Sequence, residues 1–256
     1  MKTISWYFLF LLTLILLSCG SMGPQTRGSG NIIDKVISVE PFTGINNKTT
    51  LDVNLKVDSK ASVRLYTDDN IAEFYNFKVS RGILTISHVN KSFSNSGDSR
   101  VDIRVPEITS LSASSTGDYK GLAYLSDARI SCSGTGDIDL KGRSAGSVNV
   151  TISGTGDINL KEVDITSASV NISGVGDAYL NVTDKLDVNI SGAGGVNQRE
   201  KSVVSATINI SGVGDAFVNV SDKLDVKLSG VGDVKYIGRP EIHKKISGVG
   251  NLVNRN

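Results

Sequence analysis

The chain has 256 residues, enough for one large β domain or two modest ones, and its 27 Lys+Arg against 26 Asp+Glu leave a formal charge of +1. That balance supplies no field to steer the protein to nucleic acid or to an acidic surface. With 27 glycines and only 4 prolines, and with Val, Ile, Thr and Ser filling most apolar and small positions, the composition favours β structure with frequent tight turns.

Residues 1–18 read as a lipoprotein signal peptide. Lys2 precedes an apolar run from Trp6 to Leu17 that is too short for an anchor helix. The run stops at Leu16-Leu17-Ser18-Cys19 followed by Gly20, which resembles the lipobox of bacterial lipoproteins. The resemblance implies cleavage before Cys19 and acylation there, so that the lipid membrane is reached through Cys19. Residues 19–30 are rich in Gly and Ser and are expected to form a flexible tether. No acidic run follows Cys19; in Bacteroidetes-like lipoproteins such a run resembles a surface-export signal. The expected place is a lipid anchor in the outer membrane, at its periplasmic face or at the cell surface. Cys132 is the other cysteine, so the chain has no partner for an intrachain disulfide.

Residues 31–110 form an amino-terminal β region, expected to supply the cap and irregular coils of the fold. Leu51–Val57, Ala61–Tyr66, Leu84–His88 and Val101–Val105 each alternate apolar and polar residues, the pattern of a strand with one wet face. Only Ile71–Phe77 admits a short helical turn. Two histidines 155 residues apart, His88 and His243, come without the third ligand or motif that a zinc site or a triad needs.

From Ser114 one phrase recurs eight times. It is Ser-Ser-Thr-Gly-Asp at Ser114, Ser-Gly-Thr-Gly-Asp at Ser133 and Ser153, and Ser-Gly-Val-Gly-Asp at Ser173, Ser211 and Ser229. Ser-Gly-Ala-Gly-Gly stands at Ser191 and Ser-Gly-Val-Gly-Asn at Ser247. A period of 18–20 residues marks a stacked repeat over 111–256. The residue before each Ser is Ala113, Cys132, Ile152, Ile172, Ile190, Ile210, Leu228 or Ile246, an inward column in which Cys132 takes a core place. One coil cannot bury enough apolar surface to offset the ordering of its own backbone, so the repeats must stack and share a core. Wide crossovers between parallel strands are right-handed. The fold expected is all-β: a right-handed, single-stranded parallel β-helix, or β-solenoid. Within it, Val175–Gly192 closely matches Val213–Gly230, 38 residues and two coils away.

The order of phrases is itself recognisable. Gly30-Asn-Ile-Ile-Asp, Val39-Glu-Pro-Phe-Thr-Gly-Ile45, Leu51-Asp-Val-Asn-Leu, Gly82-Ile-Leu-Thr-Ile86 and Val101-Asp-Ile-Arg-Val-Pro-Glu-Ile-Thr-Ser-Leu111 precede the Ser-Gly-x-Gly-Asp series. This succession resembles the DUF2807 family, the auto-transporter adhesin head GIN domain of Bacteroidetes lipoproteins. The resemblance implies a parallel β-helix and an adhesion role. It brings no catalytic residues.

The aspartates of the phrase form a column: Asp118, Asp137, Asp157, Asp177, Asp215 and Asp233, interrupted by Gly195. Carboxylates stacked ~4.8 Å apart repel by about 1 kcal/mol even in water, and something must offset that. Hydrogen bonds from turn amides are the expected answer. Calcium between coils is the alternative, but calcium-binding repeats have a nine-residue period and a different Gly–Asp spacing. No cofactor is expected otherwise, and the Gly-x-Gly phrase lacks the Lys-Ser/Thr of a nucleotide loop. For ligand binding, Tyr66 and Tyr75 beside Asp68-Asp69-Asn70 suggest a sugar-stacking platform. The outward Asn171, Asn189 and Asn209 suggest a flat binding face. The function expected is a non-enzymatic adhesin or interaction scaffold that meets a glycan or a host or envelope protein. A carbohydrate-active β-helix enzyme and a self-assembling, homo-oligomeric envelope lipoprotein are the alternatives.

Overall fold

The computed structural model describes residues 25–256; the signal peptide and Cys19 lie outside the described residues. The fold is the all-β, parallel β-solenoid expected, of about seven turns. Its only helical element among the described residues is the 3-10 turn Ala72–Phe74, shorter than the 71–77 window allowed.

Each regular coil is a Gly-rich corner followed by one long, bent strand. Tyr119–Cys132, Ile138–Ile152, Ile158–Ile172, Val196–Ile210 and Ala216–Leu228 each run from one corner to the next and pair in parallel with their neighbours. Like stands on like: Cys132 over Ile152 over Ile172, then Ile190, Ile210, Leu228 and Ile246. Within this column Cys132 is 0% and Ile172 1% exposed. Burial pushes the Cys132 thiol up, so it behaves as a small core hydrophobe.

The corner glycines are there because of close backbone approach. A Cβ built on Gly154 would stand 1.9 Å from the Gly134 carbonyl oxygen, and one on Gly174 would stand 2.1 Å from that of Gly154. The second glycine of each phrase is equally crowded, as at Gly194, 2.1 Å from the Gly176 oxygen. Stacked corners touch main chain to main chain, which leaves no room for a side chain.

Two coils depart from the long-strand pattern: the last is split into Val234–Ile237 and Glu241–Ile246, and the other lies inside the stack. This inner coil is split into Ala178–Tyr179 and Val182–Ile190, and Gln198 of the next coil, fully buried, repairs the gap. Its Nε2 donates to the Val182 carbonyl at 2.8 Å and its Oε1 accepts from the Val182 amide at 2.8 Å. A side-chain amide thus stands in for a missing rung.

The amino-terminal region stacks out of chain order. The coil of Gly44–Asn47 and Asp52–Val57 lies between two later segments: Ile83–His88 with Arg100–Val105 on one side, and Ile108–Ala113 with the start of Tyr119–Cys132 on the other. The end is then closed by antiparallel strands. Ser62–Asp68 runs against Arg100–Val105, Ile32–Ile37 covers Ser62–Asp68, and Tyr75–Ser80 covers Ile83–His88.

Part of the expected tether is tied down. Thr26–Arg27 pairs with Phe93–Ser94. The buried Asp68 carboxylate accepts from the amides of Gly30 (2.8 Å) and Ser96 (2.9 Å) and from the Ser96 hydroxyl. Asp69 accepts from Ser29 and Asn31. Flexible-looking composition loses here to side-chain acceptors aimed at its backbone.

The far rim is open. Glu241–Ile246 and Leu252–Asn254 pair on one side only among the described residues. Lys244 stands in register with the buried Val226 but is exposed.

Candidate functional site

The corner aspartates are bound upward, coil to coil. Asp118 Oδ1 accepts from the Asp137 amide at 2.9 Å, Asp137 from Asp157 at 2.8 Å, Asp157 from Asp177 at 2.7 Å, and Asp177 from Gly195 at 2.6 Å. Above the break, Asp215 accepts from Asp233 at 2.7 Å and Asp233 from Asn251 at 2.9 Å. Asp52 begins the series by accepting from the Asp118 amide at 3.0 Å; it lies in the amino-terminal coil, before the phrase begins. The donor is therefore the equivalent residue of the next coil, and a main-chain dipole offsets the repulsion between carboxylates. Among the described residues no group of three or more His, Cys, Asp or Glu side chains is placed as a metal-ligand set.

Gly195 breaks this ladder. With no carboxylate beneath it, the Asp215 amide is the one member of the series that meets no side-chain acceptor among the described residues. Gly195 also lines a surface groove of about 530 Å³. Two aromatic rings, Tyr179 and Phe217, line it among glycines and small aliphatic side chains. Tyr179, Asn197, Phe217 and Lys235 occupy one outward column on successive coils, which sets the two rings two rungs apart, or ~9.6 Å at ~4.8 Å per strand. Asn197 is the short side chain between them, and both rings are half-buried.

Charged groups rim the groove. Asp177 Oδ2 accepts from the Tyr179 hydroxyl at 3.3 Å, and Lys235 Nζ lies 3.5 Å from Asp215 Oδ2. The Arg199 guanidinium lies 5.9 Å from the Phe217 ring. Burial, with help from the carboxylates of Asp177 and Asp157, pushes the Tyr179 hydroxyl up, so it stays a neutral donor. A ridge of corner residues, Val175, Ala193, Val213, Val231 and Val249, is bridged in parallel and lines the groove through Ala193, Val213 and Val231. Its four valines are exposed, Val249 to 72%.

The residues singled out from sequence lie elsewhere and apart. Tyr75 is buried, packs edge-on against Phe93 and accepts from Asn95 at 3.1 Å. Tyr66, on the strand Ser62–Asp68, carries the Arg100 guanidinium 4.0 Å from its ring centroid. Asp68 and Asp69 beside them hold the chain at 29–31. Asn171, Asn189 and Asn209 stack on successive coils, with Asn189 donating to Asn171 at 3.3 Å and Asn209 to Asn189 at 3.1 Å. The groove residues were missed, although the match between Val175–Gly192 and Val213–Gly230 carried the signal: Tyr179 and Phe217 are equivalent positions in it, 38 residues apart.

The family model described as "Putative auto-transporter adhesin, head GIN domain" matches residues 41–201 and, in a second overlapping match, 192–240. The chain belongs to this family. Solved structures agree on the fold. A Parabacteroides distasonis protein described as a "Putative lipid binding protein" superposes with a TM-score of 0.81 at 21% identity, over 90% of this chain and 100% of its own. A "putative adhesin" of the same organism gives 0.81 at 19% identity, over 91% and 100%. One from Parabacteroides merdae gives 0.80 at 19%, over 91% and 99%. No curated protein matches the chain.

Proposed function

We propose that this head GIN family member is a non-enzymatic interaction scaffold of the cell envelope, an adhesin anchored by lipid at Cys19. The observation that carries the reading is the side of the solenoid on which the ladder breaks. There a rigid, regular surface opens into one groove lined by two aromatic rings, while the carboxylates that a hydrolase would need are engaged by the amides of the next coil. A preformed surface suits binding without turnover. Anchorage at the outer membrane, at its periplasmic face or on the surface, follows from the cysteine at the end of the apolar run.

Two measurements test this. Metabolic labelling with a radioactive fatty acid is expected to tag the wild-type chain and not Cys19→Ser. Binding of the purified full chain to arrays of glycans and of host and envelope proteins is expected to be saturable, with no release of products. Turnover of any glycan would favour the enzymatic alternative instead. Self-assembly draws on a different observation, the exposed valine ridge. A concentration-dependent rise in mass by light scattering, abolished by Val175→Lys on the part of the ridge outside the groove, would support it.

A further inference from the structure

The groove at Gly195 differs from the rest of the corner series in three ways at once. It lacks the Asp or Asn side chain that the other corners carry, it leaves the Asp215 amide without a side-chain acceptor, and it lies beside two rings that project from the same outward column. Its lining carries two carboxylates, Asp177 and Asp215, and one cation, Lys235, which lies 3.5 Å from Asp215 Oδ2. The excess carboxylate repels an anionic ligand, and acceptors set beside aromatic and aliphatic side chains match one that is rich in hydroxyls and apolar on its flat faces.

We infer that this groove binds a neutral pyranose residue of a glycan, its ring faces against Tyr179 and Phe217. The aromatic faces take the C–H faces of the sugar. The Asp177 and Asp215 carboxylates accept from its hydroxyls, and the Asn197 amide, Lys235 and the Asp215 N–H donate to its oxygens. A fatty acyl chain would leave those polar groups desolvated and unmatched, and a sialylated or sulfated glycan would face two carboxylates. The groove's volume of about 530 Å³ suits one or two sugar rings. This inference rests on the interaction-scaffold reading and names its ligand class.

The test is an array of immobilised neutral and acidic oligosaccharides, with acyl chains and peptides alongside, probed with the full chain in mild detergent. Neutral pyranosides are expected to bind, with affinity falling roughly ten-fold in Tyr179→Ala and in Phe217→Ala. Gly195→Asp is the decisive variant. A Cβ there meets Asp177 Oδ1 and the Asp215 oxygen at 3.1 Å, contacts that a few tenths of an ångström relieve. The new carboxylate would fill the groove and accept from the Asp215 amide, so binding is expected to vanish while the melting temperature holds or rises. Loss of binding therefore cannot be mistaken for misfolding. Glycan binding untouched by all three variants would overturn the assignment of the site, and a preference for acidic glycans, acyl chains or peptides would overturn the ligand class. Binding to proteins but to no glycan would sink the sugar inference and leave the scaffold reading standing. Binding to nothing would sink both.

Discussion

Asp157 shows what a single side chain does in this fold: it accepts from the amide of Asp177 one coil above, and its own amide donates to Asp137 one coil below. Asp157→Ala leaves the Asp177 N–H without its acceptor and is expected to cost about 1 kcal/mol. Asp157→Asn keeps an acceptor oxygen and should cost less; urea titration of both variants would rank them. Asp68 acts differently, on an end rather than on a rung. Burial raises its pKa, but the hydrogen bonds from the Ser96 hydroxyl, the Ser96 amide and the Gly30 amide outweigh burial and hold it below the ordinary carboxylate value. Because the folded value is the lower one, the stabilisation is complete above about pH 4 and fades as pH falls through the folded value. Residues 26–31 should therefore gain amide hydrogen exchange and protease sensitivity below pH 4, before the regular coils do.

At the scale of a coil, the decisive contact is corner on corner. Gly154→Ala would drive a Cβ to 1.9 Å from the Gly134 oxygen, whereas the nearest atom to a Cβ at Gly97 is the Ile32 Cδ1 at 3.8 Å. The first substitution is expected to cost about 3 kcal/mol or more and the second next to nothing, by denaturant midpoint. The columns were legible in the sequence because a coil of 18–20 residues places like on like: Cys132, Ile152 and Ile172 could be assigned to the core before any coordinates. The amino-terminal strands were legible too, but their order was not. Period-two alternation in Leu51–Val57 and Val101–Val105 says that each has a wet face. It does not say that residues 44–57 will lie between 83–105 and the coil that starts at Ile108. The groove escaped for a related reason. Gly195 stood out as a gap in a column, but its meaning depends on Tyr179 and Phe217, neighbours only once the coils are stacked. Tyr66 and Tyr75, close in sequence, were the more visible aromatics, and the chain spends them on Arg100 and on Phe93 and Asn95.

The whole molecule has two unlike ends. Antiparallel strands close one, while the other leaves Glu241–Ile246 with an edge that is unpaired among the described residues. Lys244, in register with the buried Val226, puts a charge where an incoming strand would need an apolar residue. An inward-register lysine on an edge strand blocks further pairing. Lys244→Val is expected to make the chain associate end to end, seen as a concentration-dependent increase in scattering mass without loss of β content. If the variant stays monomeric, the edge is protected by something other than this charge.

Because every coil touches only the coils beside it, the match between Val175–Gly192 and Val213–Gly230, 38 residues apart, describes a way to lengthen the protein. Splicing another copy of residues 175–212 after Gly212 would leave both termini as they are and add one more Tyr-bearing coil and one more vacant corner. Reach and valency would grow together, by tandem copying of a gene segment rather than by invention of a new surface.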